Sequence, residues 1–279
     1  MKIKFRLSTA VIHVLIILTV FLAMYPIFVM VAGSFKSAQE LNYNVAGIPK
    51  AFTLENYTRL LNYNSGIILR TYLNSILVAS CYTLLTLTVT SLAGYAFAKY
   101  RFRGRDPLFV LLLITMMVPM ELNMTPLYLI FSKMKWLNTY QVQIIPGVAN
   151  VFALFMMRQH MQSIPDVLLD AGRIDGAGEF RIFRDIVLPV SKPALGALAI
   201  LQFLSKWNDF LYPKIMITKA KLMPIMVILP TLNEIDSARS VPWELVLSGC
   251  TMVTIPLIIV FLAFQDKFLS SVTLGAVKG

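Results

Sequence analysis

Apolar residues run along this chain in long blocks separated by short polar connections. A helix needs about 20 apolar residues, at about 1.5 Å each, to cross the hydrocarbon core of a bilayer. Six blocks come close to that length: 10–32, 74–98, 108–131, 141–157, 193–212 and 246–264. The charged residues inside them are Glu121, Lys206 and Asp209. The fourth block is the shortest and carries Pro146, and no internal repeat is visible. The first is longer than the apolar core of a secretory signal, about 7–15 residues, which predicts a retained span. The pattern predicts an all-α polytopic membrane protein of six transmembrane helices forming one domain over residues 1–279.

Composition agrees. The chain of 279 residues is 57% hydrophobic and 14% charged, with a mean hydropathy of +0.71. Soluble domains hold roughly 45–50% apolar and roughly 25% charged residues, so a soluble body of this size would lack a polar surface. The net charge of +11 does not mark a nucleic-acid binder, because the basic residues lie between apolar blocks and not along one face with interleaved aromatics. Their clustering sets orientation instead. Lys2, Lys4 and Arg6 precede the first block, and Lys99, Arg101, Arg103 and Arg105 crowd the connection 99–107. Both clusters belong in the cytoplasm, which puts both termini there. Connections 33–73 and 213–245 then lie outside, long enough to form a lid or a docking surface. Cys81 and Cys250 sit in apolar blocks and read as small buried hydrophobes. His13 and His160 are isolated, and no metal site is expected.

The informative polar segment is 158–192. Ser163 and Pro165 predict a helix start, a capping hydroxyl followed by a proline in the first turn. Val167, Ala171 and Ile174 fall on one helical face. Asp175-Gly176 is turn chemistry. A second short helix sets Phe180, Phe183 and Val187 against Glu179, Arg181, Arg184 and Asp185, and Leu188-Pro189 stops it. Two such helices can lie on lipid headgroups. The segment holds as many acidic as basic residues, however, and an anionic membrane gives no reason for the acids, so a protein partner fits better.

Residues 163–193, SIPDVLLDAGRIDGAGEFRIFRDIVLPVSKP, resemble the loop that marks membrane subunits of bacterial ATP-binding-cassette importers. That family carries Glu-Ala-Ala, then Asp-Gly-Ala, then a phenylalanine-bearing helix ending in Ile-x-Leu-Pro. Asp175-Gly176-Ala177, Phe183, Ile186, Leu188 and Pro189 fit, while Asp170-Ala171-Gly172 departs from the first element by a shorter acid and by glycine in place of the second alanine. Further likeness lies in Asn74-Ser75, in Ala98–Gly104, in Met117-Val118-Pro119, in Trp207-Asn208-Asp209-Phe210 and in the final Gly275-Ala276-Val277-Lys278-Gly279. The whole is similar to the smaller, six-span subunit of maltose-type importers, particularly those for arabinose-type oligosaccharides.

The resemblance implies a type I importer permease in the bacterial cytoplasmic membrane, working with a second permease subunit, two ATPase subunits and an extracytoplasmic solute-binding protein on a carbohydrate. This chain would bind no cofactor, with ATP and Mg held by the ATPases. Asp170, Ala171, Gly172, Asp175, Gly176 and Ala177 would form the coupling helix and turn that dock into the ATPase. Lys278 and Gly279 would make a C-terminal contact with it. No G-x-x-x-x-G-K-[ST] phosphate loop occurs in the chain.

The charges within the blocks leave two readings open. Lys206 and Asp209, three apart on one helical face, can neutralise each other. Alternatively Trp207, Asn208 and Asp209 line a translocation cavity, an aromatic face beside polar groups that suits a sugar. Glu121 and Asn123 follow Pro119 and suit either a cavity wall or a subunit interface. A self-sufficient ion-coupled transporter or channel is the alternative function. It would show more ionisable residues in its spans and matched halves. A membrane enzyme lacks paired acids or an activated nucleophile here.

Overall fold

The computed structural model describes residues 7–234 and 241–276, with side chains placed over 10–232 and 241–265. Among the described residues helix dominates and there is no strand. Helix α1 is Leu7–Ser34, and two short helices follow, α2 (Ala38–Tyr43) and α3 (Glu55–Asn62). Helix α4, Ile67–Lys99, contains the whole second block without a break.

The third block is bent. Helix α5 (Arg105–Thr115) and the stretch Met120–Lys133, which ends in α6 (Met124–Lys133), meet at 89°. Pro119 causes the break, since it has no N–H to give and drives the residue before it out of helical conformation. The fourth block is divided into α7 (Tyr140–Ile144) and α8 (Val151–Gln162). Between them stand Pro146 and Gly147, the latter at φ +85°. Asn150 then restarts the helix by accepting the Ala153 N–H at 2.9 Å, the capping role for which asparagine is favoured.

The polar segment supplies α9 (Asp166–Ile174), α10 (Glu179–Ile182) and, after a π-helical turn, α11 (Leu188–Val190). The fifth block is α12 (Lys192–Trp207), with Asn208 closing it and α13 (Leu211–Met216) beyond. A short α14 (Ile225–Ile228) and the long α15 (Trp243–Ala276) complete the chain. Three stretches, within α1, through α4 and within α15, are long and apolar enough to cross a membrane unbroken, and two bent pairs raise the number to five. The fourth block adds no straight span, because Pro146-Gly147 cuts it. Helix α1 buries almost none of its apolar side chains, with Ile17 67% and Phe21 63% exposed. In water such a stripe would be untenable.

The chain packs as two compact units, residues 1–69 with 228–255 and residues 70–227 with 256–279. In the first, Lys36 is wholly buried, and its ammonium donates to the carbonyls of Asn44 at 2.6 Å, Val45 at 3.1 Å and Gly47 at 2.6 Å. Glu40 accepts from the Lys50 N–H at 2.7 Å and from the Asn44 amide at 2.9 Å. A buried charge is tolerable only when fully bonded, and these bonds fix the loop between α2 and α3. Asn56, in the first turn of α3, ties that helix to the end of α1 through the carbonyls of Ser34 and Lys36.

In the second unit, Asn74-Ser75 is a structural pin. The Asn74 amide donates to the carbonyls of Lys221 and Met223, its oxygen accepts from Tyr140, and the Ser75 hydroxyl accepts from the Ile225 N–H. Helices α4 and α8 cross in close contact at Gly94, where a Cβ would stand 2.8 Å from the Met157 Cβ and 3.1 Å from the Arg158 nitrogen. Phe97, Phe109 and Leu154 fill the angle between α4, α5 and α8, with the Arg158 guanidinium 4.0 Å above the Phe109 ring. Gly94→Val is expected to destabilise the purified protein by about 1–3 kcal/mol through overpacking. Thermal unfolding in detergent measures it, and an unchanged midpoint would contradict the close approach.

Candidate functional site

Helix α9 starts later than its sequence predicts. Pro165, not Ser163, occupies the N-cap position. The Ser163 hydroxyl instead donates to the His160 carbonyl at 2.8 Å and ends α8. A residue before proline is driven out of helical conformation, so Ile164 breaks the helix and turns into the core, where it is 3% exposed. No side chain caps α9 at Pro165. The carboxylate of Asp166 in its first turn suits the positive end of the helix dipole. Lys99, its side chain 6% exposed, donates to the Ile164 carbonyl and to Asp166 at 2.7 Å.

The helix has two apolar faces. Leu169, 1% exposed, and Gly172 point inward. A Cβ at Gly172 would stand 2.9 Å from the Ile186 Cδ1, so glycine at this position lets α9 lie directly on the following helix. Val167 at 76% and Ile174 at 86%, with Ala171, point away from the protein. Gly176 adopts φ +78° with open space around it. Backbone conformation alone demands glycine there.

The polar residues form one chain of contacts. Asp170 pairs with Arg173 at 2.9 Å, and Arg173 pairs with Glu179 at 3.0 Å across the turn. Glu179 also accepts from the hydroxyls of Tyr95, at 3.3 Å, and Tyr100. Arg173 and then Tyr100 hold the Glu179 carboxyl below its usual range, and Lys99 does the same for Asp166. Burial, followed by the Glu179 contact, raises the Tyr100 phenol.

The second helix does not stop at Leu188-Pro189. It widens into a π turn over Phe183–Val187, in which the Leu188 N–H reaches the Phe183 carbonyl, and it passes through the proline as α11. The break comes at Ser191, where the direction changes by 76° into α12. A π turn accepts a residue that ordinary helical hydrogen bonding would reject. Leu169 joins Met157, Met161, Ile182, Val187 and Leu198 in one core with Tyr95, Phe183 and Ala194. The insert is thus packed on the ends of α4, α8 and α12.

Residues 87–273 match the family described as binding-protein-dependent transport system inner membrane component. The chain belongs to that family. This permease is 38% identical over 261 residues to the arabinooligosaccharides transport system permease protein AraQ of Bacillus subtilis (strain 168), covering 92% of each chain. It is 31% identical, with the same coverage, to the sn-glycerol-3-phosphate transport system permease protein UgpE of Salmonella typhi. Among solved structures it matches a bacterial ABC transporter involved in the import of the acidic polysaccharide alginate. There the TM-score is 0.83 at 25% identity, over 96% of this chain and 99% of that one. The permease is therefore a membrane-spanning component of an ABC importer with the type I fold, and the match favours that reading over an ion-coupled transporter.

The other candidate residues lie apart from the insert. Lys206 and Asp209 pair at 3.0 Å, with the Lys206 ammonium over the rings of Tyr82 and Tyr212 at 5.2 and 5.1 Å. Trp207 is fully buried, edge-on to Tyr72 and stacked on Phe203, and its indole N–H has no hydrogen-bond partner among the described residues. Asn208 is exposed where α12 ends. Glu121 and Asn123 are exposed on the turn after the Pro119 break, beside Met117 at 81% and Leu122 at 70%. Asp175 closes α9, and Ala177 is half-buried against the core. Lys278 and Gly279 lie outside the described residues. Sequence reasoning did not single out Tyr95, Tyr100 or the Arg173–Glu179 pair, although the opposite charges flanking Asp175-Gly176 were a signal for the last.

A carboxylate with a lowered folded pKa binds fewer protons when folded, so its stabilisation is complete above the unfolded pKa and is lost as pH falls through the folded one. The protection factor of the α9 amides, their exchange rate corrected for the intrinsic rate at each pH, should therefore hold from about pH 7 to pH 5 and fall below about pH 4. Glu179→Gln should blunt that step. A step of equal size in the variant would contradict the network.

Proposed function

We propose that this permease is one of two membrane subunits of an ATP-driven carbohydrate importer, and that α9 is its coupling helix. The observation that carries the reading is the division of α9 into a fixed face and a free one. Leu169 and Gly172 bind it to the protein, while Val167, Ala171 and Ile174 leave an apolar ridge exposed beside the acid of Asp170. A cleft in a partner ATPase with a basic residue at its edge is complementary to that ridge. ATP and Mg act on two such ATPase subunits, which supply energy this chain has no motif to harvest. Their closure moves the docked α9, and rigid-body movement of the spans gives alternating access.

The likeness to the arabinooligosaccharide permease supports an oligosaccharide as cargo, delivered by an extracytoplasmic solute-binding protein. The second membrane subunit completes the pathway, and exposed apolar surface along α1 and around Pro119 is available to it and to lipid. Both termini lie in the cytoplasm of a bacterial cell, in keeping with the basic clusters at residues 2–6 and 99–105.

Reconstitution of the permease with its partner subunits, followed by ATP-driven uptake of arabinose-type oligosaccharides, tests the proposal. Gly176→Pro forces φ from +78° to about −65°, and Asp170→Lys reverses the docking charge. Each should lower uptake by about fivefold or more at normal membrane levels. Normal uptake by Gly176→Pro would contradict the assignment of α9.

A further inference from the structure

The last turn of α4 and the residue after it reach both ends of α9. At the N-terminal end, Lys99 bonds to Asp166 at 2.7 Å and to the carbonyl of Ile164. At the C-terminal end, Tyr95 and Tyr100 hold Glu179, which holds Arg173 at 3.0 Å. Helix α12 follows the insert directly in sequence, yet it contributes only apolar side chains, Ala194 and Leu198, to the shared core. Among the described residues no hydrogen bond or ion pair joins α12 to α9.

The distinction matters mechanically. Apolar contact is non-directional, so a helix held by it alone can slide and turn on its bed. One polar anchor would still leave α9 a pivot. Two anchors at opposite ends of a helix of nine residues, about 13 Å long, fix both its position and its direction.

We propose that the tip of α4 is the lever of this permease, and that Tyr95, Lys99 and Tyr100 are positioning residues that carry the movement of α9 into that span. The proposal rests on the coupling role given to α9. Lys99 sets the near end and the tyrosines set the far end, so a push on the exposed ridge turns α4 with α9. The same far-end chain orients Asp170, because Arg173 stands between Asp170 and Glu179.

The experiment measures oligosaccharide moved per ATP hydrolysed by the complete complex in vesicles, for Lys99→Met and for Tyr100→Phe. Both variants are expected to lower the ratio by about fivefold or more. Lys99→Arg, which keeps donors for both the Ile164 carbonyl and Asp166, should hold the ratio near that of the wild type. Tyr100→Phe keeps the ring edge-on against Tyr95, at 5.4 Å between centroids, so the ratio stays measurable even if Lys99→Met lowers the yield of complex. An unchanged ratio in both variants overturns the proposal, and so does a lower yield at unchanged ratio, which marks a purely structural role. A wild-type complex that hydrolyses ATP without moving any oligosaccharide would overturn the importer reading itself.

Discussion

The rest of the insert's architecture depends on the burial of Leu169 among Met157, Met161, Ile182, Val187 and Leu198. Helices α9 and α10 are too short to be stable alone, and most of their apolar side chains, Val167, Leu168, Ile174 and Phe180 among them, stay exposed. They obtain a core by sharing that of α4, α8 and α12. Gly172 makes the sharing close enough, because any side chain at that position would meet Ile186. The insert is thereby an extension of the membrane helices and not a tethered domain. Protein interiors are close-packed and transmit strain, so a force on the outer face of α9 reaches the spans through packed atoms.

The polar network adds direction to that packing. Surface ion pairs contribute little stability singly, and Asp170, Arg173 and Glu179 are each substantially exposed. Their value lies in geometry. Arg173 joins two carboxylates across the Gly176 turn, and two tyrosines fix the second of them. An analogous economy holds in the other unit, where Lys36 organises a loop by donating to three carbonyls.

How much of this could be read from the sequence varies by element. Hydropathy located the three unbroken stretches in α1, α4 and α15, because lipid demands continuous apolar helix. It could not foresee that the fourth block is cut at Pro146-Gly147, since a divided block has the same composition as an intact one. Pro119 did announce the bend of the third, but not its angle of 89°. The Gly176 turn was legible because only backbone chemistry was needed. The inward face of α9 was not, because Leu168 and Leu169 are identical in type and only tertiary packing buries the second. Ser163 and Pro165 both suit a helix start, and burial of Ile164 decided between them. Of the two readings of the fifth block, the Lys206–Asp209 contact is present as a direct ion pair. Trp207 packs inside the unit, where its environment was invisible to a linear reading.

The central claim is that α9 and α4 move as one body. Pulsed electron spin resonance between labels at Leu168, beside the docking ridge on α9, and Leu84 on α4, both exposed, measures it directly in a background without Cys81 and Cys250. The account predicts the same distance distribution in the nucleotide-free and ATP-bound complexes. A shift of the distribution between those two states would show that α9 moves on α4, and would contradict it.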